Sequence, residues 1–177
     1  MLLGDPPAAG FTMEELARSA GVSRGTIYGY FPGGRDDVVR TVYLRAADEV
    51  LERSQALRSR EEGLPGRIAA LARGFLEFTS LPEGRFYGLV SPEVAAIVAD
   101  QLGSGSSRGA ELILEDLEDA RAAGELTGAV DTHLMSRLIS GVLRSAGEES
   151  AGNRAVVDAL VEQVRLIAQG IAAQPGD

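Results

Sequence analysis

Apolar positions recur at helical spacing along almost the whole chain, and no segment sustains the apolar–polar alternation of a strand. The expected fold is therefore all-α. Thr12, followed three residues later by Glu15, is a capping box, and Met13, Leu16 and Ala17 give the helix it opens an apolar face. Ala20-Gly21-Val22 ends that helix, since Gly21 can take the positive φ of a sharp turn. Ser23 caps a second short helix, with Val22, Ile27 and Phe31 as its inward positions.

Beyond Arg35 the pattern reads as helices punctuated by Gly and Pro. A long helix is expected from about Asp36 to Arg60, with Val39, Tyr43, Ala46, Val50 and Leu57 on one side, broken by Gly63-Leu64-Pro65-Gly66. The next spans about Arg67 to Leu81, its stripe being Ile68, Leu71, Ala72, Phe75 and Phe78. Pro82 ends it, and Ser91-Pro92-Glu93 opens another through about Leu102. Gly103 to Gly109 reads as a flexible Gly/Ser-rich loop. Helices over about Ala110–Ala123, Asp131–Glu148 and Asn153–Ala173 follow. There is no internal repeat.

The second short helix carries the informative surface. Away from its inward positions it presents Arg24, Gly25, Thr26, Tyr28, Gly29 and Tyr30. Two short helices about a tight turn, the second polar on its outer face, are the layout of a helix-turn-helix that enters the major groove of DNA. Gly25 and Gly29 allow close approach to the bases. Arg24 can pair with a guanine edge, and the Thr26 and Tyr hydroxyls can reach phosphate or base. A helical hairpin buried in a core would not carry Arg, Thr and two Tyr on one such face.

Thr12-Met13-Glu14-Glu15-Leu16-Ala17, Ala20-Gly21-Val22-Ser23, Thr26-Ile27-Tyr28 and Tyr30-Phe31 resemble the DNA-binding domain of the TetR-type transcriptional regulators. The resemblance is specific over about residues 11 to 45. It implies an all-helical homodimer with an N-terminal helix-turn-helix and a larger C-terminal domain that binds a small effector. The corresponding domains are residues 1–45 and 46–177. By the same resemblance Ser23, Arg24, Gly25, Thr26, Tyr28, Gly29 and Tyr30 face DNA, Thr12 touches a phosphate, and Arg35 grips the backbone from the start of the following helix. The Pro32-Gly33-Gly34-Arg35 loop is one residue longer than the commonest family version. The family also begins with a full helix across the motif, whereas Met1-Leu2-Leu3-Gly4-Asp5-Pro6-Pro7 reads as its remnant, Pro6-Pro7 being incompatible with a helix interior. Such a remnant would leave Leu16, Ile27 and Phe31 poorly covered.

The net charge of −9 is at odds with a DNA binder until it is divided along the chain. Residues 1–45 hold five Arg and five acids, so all the excess acidity lies in residues 46–177. Weak non-specific binding is expected, because phosphate neutralisation drives it. The absence of cysteine excludes disulfides and thiolate metal sites, and no apolar run reaches membrane-spanning length. A cytoplasmic protein without membrane attachment is the expectation.

The last two predicted helices are apolar over more of their circumference than one contact needs. This width suits a dimer, with Leu134, Leu138, Val142, Leu160, Val164, Ile167 and Ile171 as interface candidates. Two copies would meet a palindromic double-stranded operator with half-sites about one helical turn apart. For a small-molecule effector the candidates are Leu71, Phe75, Phe78, Phe86 and Tyr87, with Arg85 and Tyr43 as polar anchors.

Enzyme chemistry finds little to work with. His133 is the only histidine and there is no lysine, so a multi-histidine metal site, a P-loop and a Schiff base are all excluded. Gly103–Gly109 only approximates a dinucleotide fingerprint, and the pairs Glu115-Asp116 and Glu118-Asp119 read as a solvated helix flank. Neither cofactor nor metal is expected. The sequence points to a ligand-responsive homodimeric repressor. The competing reading is a dimeric ligand-binding or interaction protein that has lost DNA binding with its first helix.

Overall fold

The computed structural model describes residues 11–173, apart from the side chains of Glu93 and residues 99–107. The remnant helix expected at Met1–Leu3 lies outside the described residues. Helix α1 (Met13–Ala20) starts at the Thr12 capping box and ends at Gly21, whose φ of 67° makes the turn. Helix α2 (Arg24–Tyr30) starts at Ser23, which accepts a hydrogen bond from the Thr26 amide at 3.0 Å. Then come α3 (Arg35–Arg58), α4 (Gly63–Thr79), α5 (Arg85–Gly88), α6 (Pro92–Ile97) and α7 (Ala99–Ala122). Helix α8 (Thr132–Ser150), a 3-10 turn at Arg154–Val156 and α9 (Val157–Ile171) follow among the described residues. The described residues contain no sheet, only an isolated bridge between Leu126 and Ala172.

Two hydrophobic clusters organise these helices. The larger joins α4, α7, α8 and α9 around Ile68, Leu76, Leu117, Ile139, Val161 and Ala168. The smaller joins α1, α2 and the start of α3 around Phe11, Met13, Ala17, Ile27, Val38, Val39 and Tyr43. Its eighth member, Val98, comes from the link between α6 and α7 and is fully buried. Helix α3 spans both clusters, so the division expected at residue 45 falls within a continuous helix. Its second half lies very close to α4, where a Cβ at Gly74 would sit 2.7 Å from the Ser54 Cα. Only glycine permits that approach.

Several expectations need correction. Helix α4 begins at Gly63, not Arg67: Pro65 stands in the first turn, where its missing N–H costs nothing. The loop expected at Gly103–Gly109 is instead part of α7. Its poor helix propensity is overridden by what lies at either end, the buried Val98 before it and the buried Leu112, Ile113 and Leu117 after it. The short α5 was not expected at all. Ile27 is buried, and Leu16 and Phe31 pack against the smaller cluster, so these residues are covered after all. Val22 instead points out, 41% exposed.

The acidic flank of α7 is also not simply solvated. Asp116 is fully buried, and its carboxylate accepts from Nε and Nη2 of Arg58 at 2.8–3.0 Å. Arg67 Nε lies 3.1 Å from the same group. This one carboxylate therefore ties together α3, α4 and α7. Glu115, Glu118 and Asp119 stay exposed as expected.

Candidate nucleic-acid interface

The site grows from two helix starts. At the first, the Thr12 backbone amide donates to the Glu15 carboxylate at 2.8 Å, and the Glu15 amide donates back to the Thr12 hydroxyl at 3.2 Å. The Thr12 hydroxyl also donates to Glu15 at 3.0 Å. These bonds, the backbone one first, hold the Glu15 carboxyl below its ordinary value of 4.5. Thr12 is exposed but already engaged with its own helix.

At the second start the Ser23 and Thr26 hydroxyls lie 2.8 Å apart. Ser23, Arg24, Gly25, Thr26, Tyr28, Gly29 and Tyr30 are all exposed on α2, with Ile27 alone turned into the core. Tyr30 is 77% exposed. A Cβ at Gly29 would meet no atom within 4 Å, so packing inside the chain does not demand glycine there. The Arg24 guanidinium is held on two sides: Nη1 donates to Glu14 of α1 at 2.5 Å, and its carbon lies 5.7 Å from the centre of the Tyr28 ring. The sequence reading of the recognition face did not include Glu14. The signal available was its place two residues after the Thr12 cap, on the helix beside Arg24.

Part of the charge of this region is committed internally. Arg40 pairs with Asp37 at 3.1 Å and also donates to the Ile97 carbonyl at 3.4 Å, tying the start of α3 to α6. Arg35 is half-buried, its guanidinium carbon 5.6 Å from the centre of the Phe11 ring.

The residues considered for an effector form a packed aromatic cluster centred on Tyr87. Its ring lies 4.8 Å from that of Tyr43, 6.0 Å from Phe75 and from Phe78, and 6.4 Å from Phe86. Burial pushes both tyrosine hydroxyls above their ordinary value of 10.0. Leu71 is buried in the larger cluster, and Arg85 lies against Gly152. An open groove of about 770 Å³ runs beside these aromatics. Phe78, Phe86, Val42 and Ala46 line it, together with Asp48, Glu49, Glu52, Glu83, Arg45 and Arg53. Of the effector candidates, only Phe78 and Phe86 reach it.

Leu134, Leu138 and Val142 of α8 and Leu166 and Ile167 of α9 are exposed. Leu160 and Ile171 are half-buried against the larger cluster. Val164, at 2% exposure, belongs to the chain's own core and leaves the expected interface. No group of three or more His, Cys, Asp or Glu among the described residues is arranged to hold a metal, and none of the described helices is long and apolar enough to cross a membrane.

Residues 1–42 match the family model described as bacterial regulatory proteins, tetR family. None of the curated proteins matches the sequence. Among solved structures, a TetR-family transcriptional regulator from Pectobacterium atrosepticum is 22% identical, with a TM-score of 0.74 over 94% of this chain and 86% of that one. The ketosteroid transcriptional regulator KstR2 of Mycobacterium tuberculosis is 13% identical, with a TM-score of 0.72 over 98% and 90%. A structure described as the superantigen PfiT is 20% identical and reaches 0.64 over 94% and 86%. At such identities the likeness establishes the fold, and function has to be argued from the site.

Proposed function

We propose that this chain, a TetR-type regulator by its N-terminal 42 residues and its fold, works as a homodimeric, ligand-responsive transcriptional repressor. The observation that carries the reading is the outer face of α2. Six polar or glycine residues and the Ser23 cap stand exposed on a seven-residue helix anchored through Ile27 alone. A helix held from behind and bare in front suits insertion into a major groove. In this reading Arg24 and Thr26 read base edges, while Ser23, Tyr28, Tyr30, Thr12 and Arg35 position the protein on the backbone.

Dimerisation would use the exposed leucine stripe of α8 with Leu166 and Ile167 of α9, which leaves an apolar face without a partner inside the chain. Effector binding would act near the Tyr87 cluster, the place where residues of both hydrophobic clusters meet around α3 and α5. An effector that prefers one arrangement of α3 would change the spacing of the two recognition helices. A coupling of ~1–3 kcal/mol alters operator affinity roughly 5–150-fold. Acting on DNA from the bacterial cytoplasm completes the proposal.

The test is selection of bound duplexes from a random pool by the purified protein at near-physiological salt. Enrichment of a palindrome is expected. Arg24→Ala should then relax preference at one operator position at a cost of ~1–3 kcal/mol. Equal losses on all sequences would make Arg24 a phosphate contact, and no enrichment would refute the regulator reading.

A further inference from the structure

We infer that Glu14, on the first helix of the motif, is a positioning residue that aims Arg24 and sharpens the choice of base. The inference rests on the DNA-reading role proposed for α2. Its observation is separate: the 2.5 Å bond from Arg24 Nη1 to Glu14, with the Tyr28 ring beside the same guanidinium.

Three physical points lead there. First, a guanidinium offers five N–H donors and Glu14 takes one from Nη1. The Nε–Nη2 edge remains for the paired O6 and N7 acceptors of a guanine, so both partners can be held at once. Second, the side chain is biased toward one orientation before DNA arrives, although both partners are about 60% exposed. A carboxylate at one end and an aromatic ring alongside reduce the rotamer freedom that an unrestrained arginine would lose on binding. Third, a carboxylate on a DNA-facing surface repels the phosphates of any duplex, whatever its base sequence. Glu14 therefore cannot be explained by affinity for DNA in general. It weakens binding to all duplexes while favouring the one that offers Arg24 a complete second partner, and this difference is selectivity.

The experiment compares the wild-type chain with Glu14→Gln. Both undergo selection from a random duplex pool, and both are then titrated with the selected duplex and with its variant at the base pair whose preference depends on Arg24. Glu14 is well exposed, so the substitution leaves the fold in place, checked by thermal melting. Glu14→Gln is expected to lower the preference for the correct base about two- to tenfold, with affinity for unrelated duplexes equal or higher. In an Arg24→Ala background the same substitution should leave base preference unchanged. Unaltered preference in Glu14→Gln overturns the inference, as does an equal change with and without Arg24. If the wild-type chain enriches nothing, the regulator reading itself falls and takes this role with it. Enrichment by wild type with an unchanged Glu14→Gln profile removes only the role of Glu14.

Discussion

Replacing Asp116 by Asn isolates the tie between the long helix α3 and the larger cluster. The carboxylate is fully buried, bonded twice through Arg58 Nε and once through Nη2, and 3.1 Å from Arg67 Nε. Asparagine keeps the shape but removes the charge that two guanidinium groups share. Removing one partner of a buried pair costs about 3–5 kcal/mol, because the remaining charge is left uncompensated. Here Arg58 and Arg67 keep side-chain exposures of 22% and 23%, and Glu115 and Asp119 remain 3.7 and 3.6 Å from them, so water and these carboxylates relieve part of that penalty. A loss of about 2–4 kcal/mol is the resulting expectation. At ~2–4 °C per kcal/mol for a chain of this size, Tm should fall by roughly 4–16 °C. Urea denaturation reads the change as a lower midpoint at constant m. Glu118→Gln, on the same helix but exposed, serves as control and should stay within about ±0.5 kcal/mol. If Asp116→Asn costs less than about 1 kcal/mol, the carboxylate is not the clamp described.

Two further outcomes follow from other parts of the molecule. Tyr43 and Tyr87 have hydroxyls raised above 10.0, chiefly by burial, so the native state holds these protons more tightly than the unfolded chain does. Their contribution to stability is complete below the unfolded value and is lost as pH rises through the folded values. Denaturation midpoints should thus fall above about pH 10, with a shallower fall in Tyr87→Phe; an identical slope in that variant would contradict the assignment. On the α8 face, Leu138 is 63% exposed in the single chain. Leu138→Glu should barely change the stability of one chain, yet shift sedimentation from dimer to monomer, and a persistent dimer would place the interface elsewhere.

The two short N-terminal helices and their turn were legible because their signals are local. Thr12 with Glu15, Gly21 and Ser23 act within a few residues of themselves, and each takes the geometry its type dictates. Apolar spacing likewise located the long helices, since a 3.6-residue stripe needs no knowledge of its partner. What failed was decided at a distance. Gly103–Gly109 has loop composition, but packing on either side draws it into α7. Val164 and Leu138 look alike in sequence; one is buried and the other exposed only because of where α8 and α9 cross the larger cluster. Asp116 and Glu115 are neighbours and Arg58 reaches both, but the fold buries only the first and brings Arg67 to it as well. The pairing of Glu14 with Arg24 belongs to the same class, ten residues apart and joined by the turn at Gly21. Capping, periodicity and charge balance were thus written in the order of residues. Which polar groups share a partner, and which apolar faces stay bare, depended on the packing of whole helices, because contact energies act through space and not along the chain.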